Sequence, residues 1–166
     1  MVADAAQART LVAASKYPPA GRRGFGILHE DEHEGNVGEY LRHMNDETLV
    51  IAQIETAEGV RNADLIAAVE GIDVLWIGQY DLSTSLGIPG EFDNPAFVEA
   101  LEEVVRSADA QEKASGIAGD DAEWLAGMAR RGFRCLCFGH DLTLYRSAVR
   151  AGLGELRGRL EAEVPA

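Results

Sequence analysis

The sequence predicts an α/β fold in which parallel strands alternate with helices. From Leu49 onwards, short continuous apolar runs recur, and each is followed by a stretch with apolar residues at helical spacing. Short apolar runs are typical of strands buried on both faces, and alternation with helices favours parallel pairing through right-handed crossovers. The composition agrees, because 46% of the 166 residues are hydrophobic and 26% are charged, as in a globular domain.

The predicted elements follow in order along the chain. An alanine-rich helix over 3–15 stops before Tyr17-Pro18-Pro19, and a short helix over 37–44 follows a polar loop. The predicted strands cover residues 49–54, 72–78, 113–118 and 133–138. The helices predicted between and after them cover residues 57–69, 94–111, 121–131, 141–151 and 153–162.

These elements fit one domain over residues 1–166, in either of two architectures. An eight-stranded α/β barrel takes roughly 250 residues. The chain, with 166 residues and four predicted strands, is therefore either a small open α/β domain or about half of a barrel. The spacing of the elements alone does not decide between them.

Charge and cysteine content restrict the partners and the compartment. A formal net charge of −13 makes nucleic acid a poor partner, because the acidic surface repels phosphate backbones. No apolar run has the length of a membrane span, and no basic-then-apolar leader is present. Cys135 and Cys137 are interpreted as small buried thiols. We therefore expect a cytoplasmic protein.

Two carboxylates follow predicted strands, at the positions where parallel α/β folds carry functional side chains. Glu55 follows the strand over 49–54, and Asp81 follows the strand over 72–78. Two such carboxylates can give a hard divalent ion its protein oxygens while water and substrate fill the other sites. Alternatively, both acids cap the helices that follow them. The residues alone leave both interpretations open.

Several segments together resemble the HpcH/HpaI aldolase family of pyruvate-binding barrels. The upstream match is the loop Tyr17-Pro18-Pro19-Ala20-Gly21-Arg22-Arg23-Gly24. The central matches are Gln53-Ile54-Glu55-Thr56, Gly71-Ile72-Asp73-Val74-Leu75-Trp76-Ile77-Gly78 and Asp81-Leu82-Ser83. Gly139-His140-Asp141 fits the last strand and its turn. The resemblance implies the C-terminal half of a (β/α)8 TIM barrel, with four parallel strands alternating with helices.

The same resemblance implies metal-dependent cleavage of a 4-hydroxy-2-oxo acid to pyruvate and an aldehyde. Glu55 and Asp81 would be the ligands of a divalent ion, magnesium or manganese, and Gln53 would face the same pocket. The substrate carboxylate would be held by backbone N–H groups around Gly78, Gln79 and Tyr80. Many relatives have Pro and a small residue in place of Gln79 and Tyr80, which affects the expected size of the pocket.

The resemblance leaves the catalytic base unknown, because no residue here matches the family's catalytic histidine or its keto-polarising arginine. The alternative is therefore a non-catalytic fragment, or truncated pseudoenzyme, that binds a divalent metal and an oxo acid. His29 and His33 are expected in a solvated loop and His140 in a turn. A half-barrel exposes strand edges and an apolar inner face. We therefore expect a homo-oligomer, or pairing with a complementing N-terminal fragment.

Overall fold

The computed structural model describes residues 1–26 and 36–163 of the chain. The predictions for His29 and His33 lie outside these residues. The described helices are α1 (Ala5–Ser15), α2 (Val37–Glu47), α3 (Ala57–Arg61), α4 (Ala63–Ala67), α5 (Gln79–Ser85), α6 (Pro95–Ala110), α7 (Ala122–Arg130) and α8 (Asp141–Glu163). The described strands are β1 (Ile51–Ile54), β2 (Val74–Ile77), β3 (Ala114–Gly119) and β4 (Cys135–Phe138).

The strands form one parallel sheet in sequence order, as the sequence predicts. Within the described chain the sheet has four strands in the order β1-β2-β3-β4. Ile54 of β1 stands beside Ile77 of β2, and Ile77 stands beside Ile117 of β3. Because all the strands point the same way, their carboxyl ends form one edge, and the loops that follow β1 and β2 are neighbours.

Helices α4 and α6 cover one face of the sheet and make the core with it. Helix α6 starts with Asn94 as N-cap, whose side chain accepts from the Ala96 N–H at 3.0 Å, and with Pro95 at its first position. Its buried stripe includes Phe97, Leu101 and Val104. Their spacing of three to four residues is that of one helix face, so this face alone packs on the strands.

On the opposite face of the sheet, the strands are less buried than the sequence predicts. The sequence suggests strands buried on both faces, but Ile51 is 40% exposed, Gln53 is exposed and Trp76 is only half-buried. Ala52 and Ile54, which alternate with them, are fully buried under the helices. The apolar runs therefore predict the strands correctly, but on the second face only part is covered by described residues: Val74 is 3% exposed, while Ile51 is 40% exposed.

Three differences from the predicted elements go beyond shifts of a few residues at their ends. The helix predicted over 57–69 breaks at Asn62 into α3 and α4. The segment after β2, expected as a loop, starts with helix α5. The two helices predicted over 141–151 and 153–162 are one continuous α8. Gly152, which lies between the two predicted ranges, lowers helix propensity by about 1 kcal/mol, which is too little to end a long helix.

None of the described helices combines the length and the apolar character needed to cross a membrane. Both cysteines are free thiols, but the prediction that both are buried is wrong. Cys135 is half-buried and Cys137 is exposed on β4. The reason is the position of β4 at the outer edge of the described sheet, where fewer neighbours cover it.

Candidate metal and oxo-acid site

The carboxyl ends of β1 and β2 bring Glu55 and Gly78 side by side. The Gly78 N–H donates to the Ile54 carbonyl oxygen at 3.0 Å, which extends the parallel ladder by one residue. A Cβ atom on Gly78 would lie 2.6 Å from Glu55 Oε2 and 2.8 Å from Glu55 Cβ. The Glu55 side chain therefore occupies the space that any larger residue at position 78 would fill.

Gln53 and the N-terminus complete the surroundings of Glu55. Gln53 Nε2 donates to Glu55 Oε2, which holds one carboxylate oxygen in place. The Met1 nitrogen lies 4.0 Å from Glu55 Oε1, and the Glu55 side chain is only 13% exposed. The Val2 N–H donates to the Gln53 carbonyl oxygen at 2.8 Å, which fixes the first residues along β1. A nearly buried carboxylate of this kind favours a cationic neighbour.

The capping alternative for Glu55 is not what the structure shows. The N-cap of α3 is Thr56, whose Oγ1 accepts from the Gly59 N–H at 3.0 Å. Glu55 precedes that cap, so its carboxylate is not used to cap the helix. The sequence left open whether the Glu55-Thr56 pair caps the helix or binds a metal, and in the structure the cap is Thr56.

Asp81 lies in the first turn of α5, whose N-cap is Gly78, and its side chain is exposed. An acid in this turn interacts favourably with the positive end of the helix. That interaction does not use up the oxygens of an exposed carboxylate. Asp81 is three residues after Gly78, about one helical turn along the chain. Glu55 packs against Gly78.

The backbone N–H groups of Gly78, Gln79 and Tyr80, which are predicted to hold a carboxylate, differ in whether they already have an acceptor. The Gly78 N–H already donates within the sheet. In an α-helix the first N–H groups have no acceptor inside the helix, and in α5 these include the N–H groups of Gln79 and Tyr80. Gly78 thus leaves space for Glu55, while the N–H groups of the two residues after it have no acceptor within the helix.

The side chain of Gln79 reaches β3, and that of Tyr80 contacts Phe92. Gln79 Nε2 donates to the Ala118 carbonyl oxygen at 2.9 Å. The ring of Tyr80, 69% exposed, meets Phe92 edge-on with centroids 5.2 Å apart. Together with Trp124 these residues line an open cavity of about 360 Å³.

This cavity is a feature that the sequence reasoning missed. It is also lined by Gly119, the last residue of β3, and by Asp120 and Asp121, which follow β3 at the same edge of the sheet. The signal was present, because an acidic pair directly after a predicted strand has the same position as Glu55 after β1. Asp121, however, is the N-cap of α7 and accepts from the Trp124 N–H at 2.7 Å.

Glu55 and Asp81 are carboxylates of the type that can hold a hard divalent cation. Among residues 1–26 and 36–163, no three or more His, Cys, Asp or Glu side chains are grouped to hold a metal. Two carboxylates with open positions for water and substrate are nevertheless a sufficient protein share for an ion such as Mg²⁺. Glu55, nearly buried and oriented by Gln53, fits this role best.

Comparisons with known proteins agree with this architecture. Residues 1–148 match the HpcH/HpaI aldolase/citrate lyase family. The chain is 37% identical over 167 residues to the hydroxypyruvate/pyruvate aldolase of Pseudomonas aeruginosa, covering 100% of this chain and 61% of the relative. It is 40% identical over 158 residues to the hydroxypyruvate/pyruvate aldolase of Delftia acidovorans, covering 95% of this chain and 59% of the relative.

A solved structure supports the fold independently of these relatives. The HpcH/HpaI aldolase from Desulfitobacterium hafniense DCB-2 superposes with a TM-score of 0.84 at 33% identity. The match covers 99% of this chain and 62% of that chain. The chain thus spans about three fifths of the proteins it resembles. Four parallel strands within a larger barrel confirm the partial-barrel prediction over the small open domain.

Proposed function

We propose a function from one premise: the chain belongs to the HpcH/HpaI aldolase/citrate lyase family. The proposed activity is metal-dependent cleavage of a 4-hydroxy-2-oxo acid to pyruvate and an aldehyde. The observation that carries it is Glu55, a carboxylate 13% exposed at the end of β1 that is oriented by an amide and not used as a helix cap. The relatives named as hydroxypyruvate/pyruvate aldolases support the substrate class.

In this proposal each residue has a separate task. Glu55 and Asp81 supply carboxylate oxygens to a divalent ion, Mg²⁺ or Mn²⁺, and Gln53 holds the Glu55 carboxylate in one orientation. The N–H groups of Gln79 and Tyr80 bind the substrate carboxylate, and Gly78 leaves the space that Glu55 needs. When bound, the ion would stabilise the negative charge that develops as the carbon–carbon bond breaks.

The proposal has one competing candidate, a domain that binds metal and oxo acid without turnover. It is favoured by the length of the match, since the chain spans 61% of the Pseudomonas relative, and by the lack of a residue matching the family's base. We further propose that the chain forms a single domain that acts in the cytoplasm as a homo-oligomer. The uncovered inner face, with Ile51 40% exposed, supports assembly.

A metal titration tests the site directly. The full chain is titrated with Mn²⁺ and the free ion is followed by electron paramagnetic resonance. Glu55→Gln and Asp81→Asn should each weaken Mn²⁺ binding at least tenfold, and Gln53→Ala by about tenfold, because orienting partners typically contribute that much. Glu58→Gln is the control, because Glu58 is exposed in the next helix. Unchanged affinity in both ligand variants would refute the site.

Gly78→Ala tests the same geometry without removing a ligand. Its methyl group would meet Glu55 Oε2 at 2.6 Å, so the carboxylate must move and metal affinity should fall. Turnover is tested separately, by deuterium exchange at the methyl group of pyruvate followed by NMR with and without Mg²⁺. Metal-dependent exchange supports the lyase. Metal and pyruvate binding with no exchange would instead support the binding domain.

A further inference from the structure

The two cysteines of β4 lie on one face of the sheet, opposite the helices. Successive side chains of a strand point to opposite faces, so Cys135 and Cys137 share a face and Leu136 points the other way. Leu136 pairs in register with Ile117 of β3, which is fully buried under the helices. Both thiols therefore face the side of the sheet that the described residues cover only in part.

The residues of β3 beside these thiols are small. Cys135 pairs in register with Gly116, and Cys137 pairs with Ala118. The β3 neighbours of the two sulfurs thus carry nothing larger than a methyl group. Both cysteines are free thiols, Cys135 half-buried and Cys137 exposed, and β4 is the outer strand of the described sheet. A small ion can therefore reach the pair from this face.

An indole ring borders the pair on the side of β3. Trp76 of β2 is the other register partner of Gly116, and a Cβ atom on Gly116 would lie 2.5 Å from Trp76 Cε3. The same Cβ atom would lie 3.1 Å from the Cys135 carbonyl oxygen. The ring therefore lies across β3, over the residue that stands beside Cys135. An ion held by the two thiols would lie close to this indole.

The spacing of the two thiols excludes a disulfide but suits one bridging ion. Two residues along a strand span about 6.6 Å, whereas the Cβ atoms of a disulfide are about 3.5–4.5 Å apart. Two metal–sulfur bonds of about 2.3 Å bring the sulfurs only to within about 4.6 Å of each other. Rotation about χ1 supplies this approach. It releases only a weak bond, in which Cys137 Sγ donates to the Gly139 carbonyl oxygen at 3.4 Å.

The number and type of ligands select a soft monovalent ion. In the part of the chain that the structure describes, no three or more His, Cys, Asp or Glu side chains are grouped to hold a metal. The cysteine pair therefore offers two ligands, too few for a structural zinc ion, which takes four. Soft thiolates favour Cu⁺, and two thiolates in a line satisfy this filled-shell ion.

We propose that Cys135 and Cys137 form a two-thiolate site that binds one Cu⁺ ion per chain. Each thiol gives up its proton when the ion binds, so one ion is taken up, two protons are released and no electron is transferred. The site is separate from the carboxylate site, because Glu55 follows β1, at the other end of the described sheet from β4. Neither the divalent ion nor turnover is needed for it.

A competition titration of the full, reduced chain under nitrogen tests the site. Cu⁺ is supplied as its bicinchoninate complex, and its transfer to the protein is followed by absorbance. The wild type should bind one ion per chain. Cys135→Ser and Cys137→Ser should each weaken binding on the order of a hundredfold or more, because the second thiolate binds intramolecularly. Leu136→Ala, between them but on the other face, is the matched control and should stay within about twofold.

Two results of this titration would overturn the proposal. A Cys137→Ser variant that binds as tightly as the wild type would show that the thiols do not act together. Two ions per chain, or one ion shared by two chains, would contradict a single ion bridged within one strand. Circular dichroism of both serine variants should match the wild type, since neither thiol is fully buried.

Tryptophan fluorescence then identifies the face on which the ion binds. The chain has two tryptophans, Trp76 beside Gly116 and Trp124 beside Gly119. One equivalent of Cu⁺ should quench the emission of the wild type but not that of Trp76→Phe, whose affinity should stay within about threefold of the wild type. Excess Mg²⁺ should not reverse the quenching, because it prefers oxygen ligands. Quenching that persists in Trp76→Phe would place the ion near Trp124 and refute the site.

Discussion

The sheet and its helices divide into two regions that are alike in secondary structure and opposite in packing. From β1 to β3, the helix-facing residues are buried, including Ile54, Ile77 and Ile117 at 0% exposure. From β4 to the end of α8, Leu136 is 40% exposed and α8 covers nothing that the structure describes. Both regions nevertheless form strands where the sequence predicts them.

The comparison shows that forming an element and burying it are separate events. A strand or a helix is specified by local spacing and by residues that begin and end it. Burial requires a second surface, and long isolated helices are marginal in water without one. The β1–β3 region finds that surface within the described chain, whereas most of the β4–α8 region meets no such surface there. Global stability should therefore reside in the first region.

The largest expected effect comes from the same substitution made in both regions. Leu101→Ala in α6, where Leu101 is 2% exposed, should lower the free energy of unfolding by about 2–5 kcal/mol. Leu153→Ala in α8, 46% exposed, should change it by less than about 0.5 kcal/mol. Urea unfolding at low protein concentration measures both values without a contribution from association. Equal losses would show that the two regions are packed alike.

A smaller loss of stability is expected from removing a hydrogen bond at the start of β1 and β2. The Val50 N–H donates to Asp73 Oδ2 at 2.7 Å, and Val50 is only 2% exposed. Asp73→Ala leaves this buried N–H without its acceptor and should cost about 1–3 kcal/mol in the free energy of unfolding.

Asp73→Asn serves as the control, because its amide oxygen can still accept the bond. Chemical denaturation should place it between the wild type and Asp73→Ala. If the alanine variant is as stable as the wild type, this contact does not help to hold the β1–β3 region together.

The smallest expected change in stability comes from replacing a glycine within a helix by alanine. An added Cβ at Gly154 of α8 meets nothing within 4 Å, so Gly154→Ala should stabilise the helix locally by about 0.5–1 kcal/mol. Amide hydrogen exchange should slow within α8 while the global free energy of unfolding stays unchanged.

Gly127→Ala in the packed helix α7 is the matched substitution, with Arg130 Nη2 at 3.8 Å as the near contact. Because α7 packs on β3 and β4, its stabilisation should appear in the global free energy as well. A global gain from Gly154→Ala would mean that α8 unfolds together with the body, contrary to the division into two regions.

The elements with strong local signals were predicted from sequence alone. The four strands lie where the apolar runs are, and α6 begins at Asn94-Pro95 as capping preferences require. The break at Asn62 and the start of α5 were missed, because each depends on how the chain turns against the sheet. The continuity of α8 was missed, since two helices were predicted over 141–151 and 153–162 where the structure has one.

The candidate site was predicted only in part, because several of its contacts depend on how distant segments pack. Glu55 and Asp81 stand out because each follows an apolar strand. Pattern alone could not tell that Thr56 and not Glu55 caps α3, or that the Gly78 N–H is used in the ladder. The acidic pair Asp120 and Asp121 marks one side of the cavity in the sequence, but Tyr80, Phe92 and Trp124 are far apart in the chain and only packing brings them to it.

The sequence by itself determined the order of strands and helices, the parallel sheet and the carboxylates that follow its strands. These depend on spacing, caps and breakers, which act over a few residues. Only the tertiary structure decided that Gln53 orients Glu55 over Gly78 and that α8 leaves the sheet with its apolar stripe exposed. Such features depend on contacts between distant segments, because a side chain's neighbours are fixed by packing and not by its own sequence.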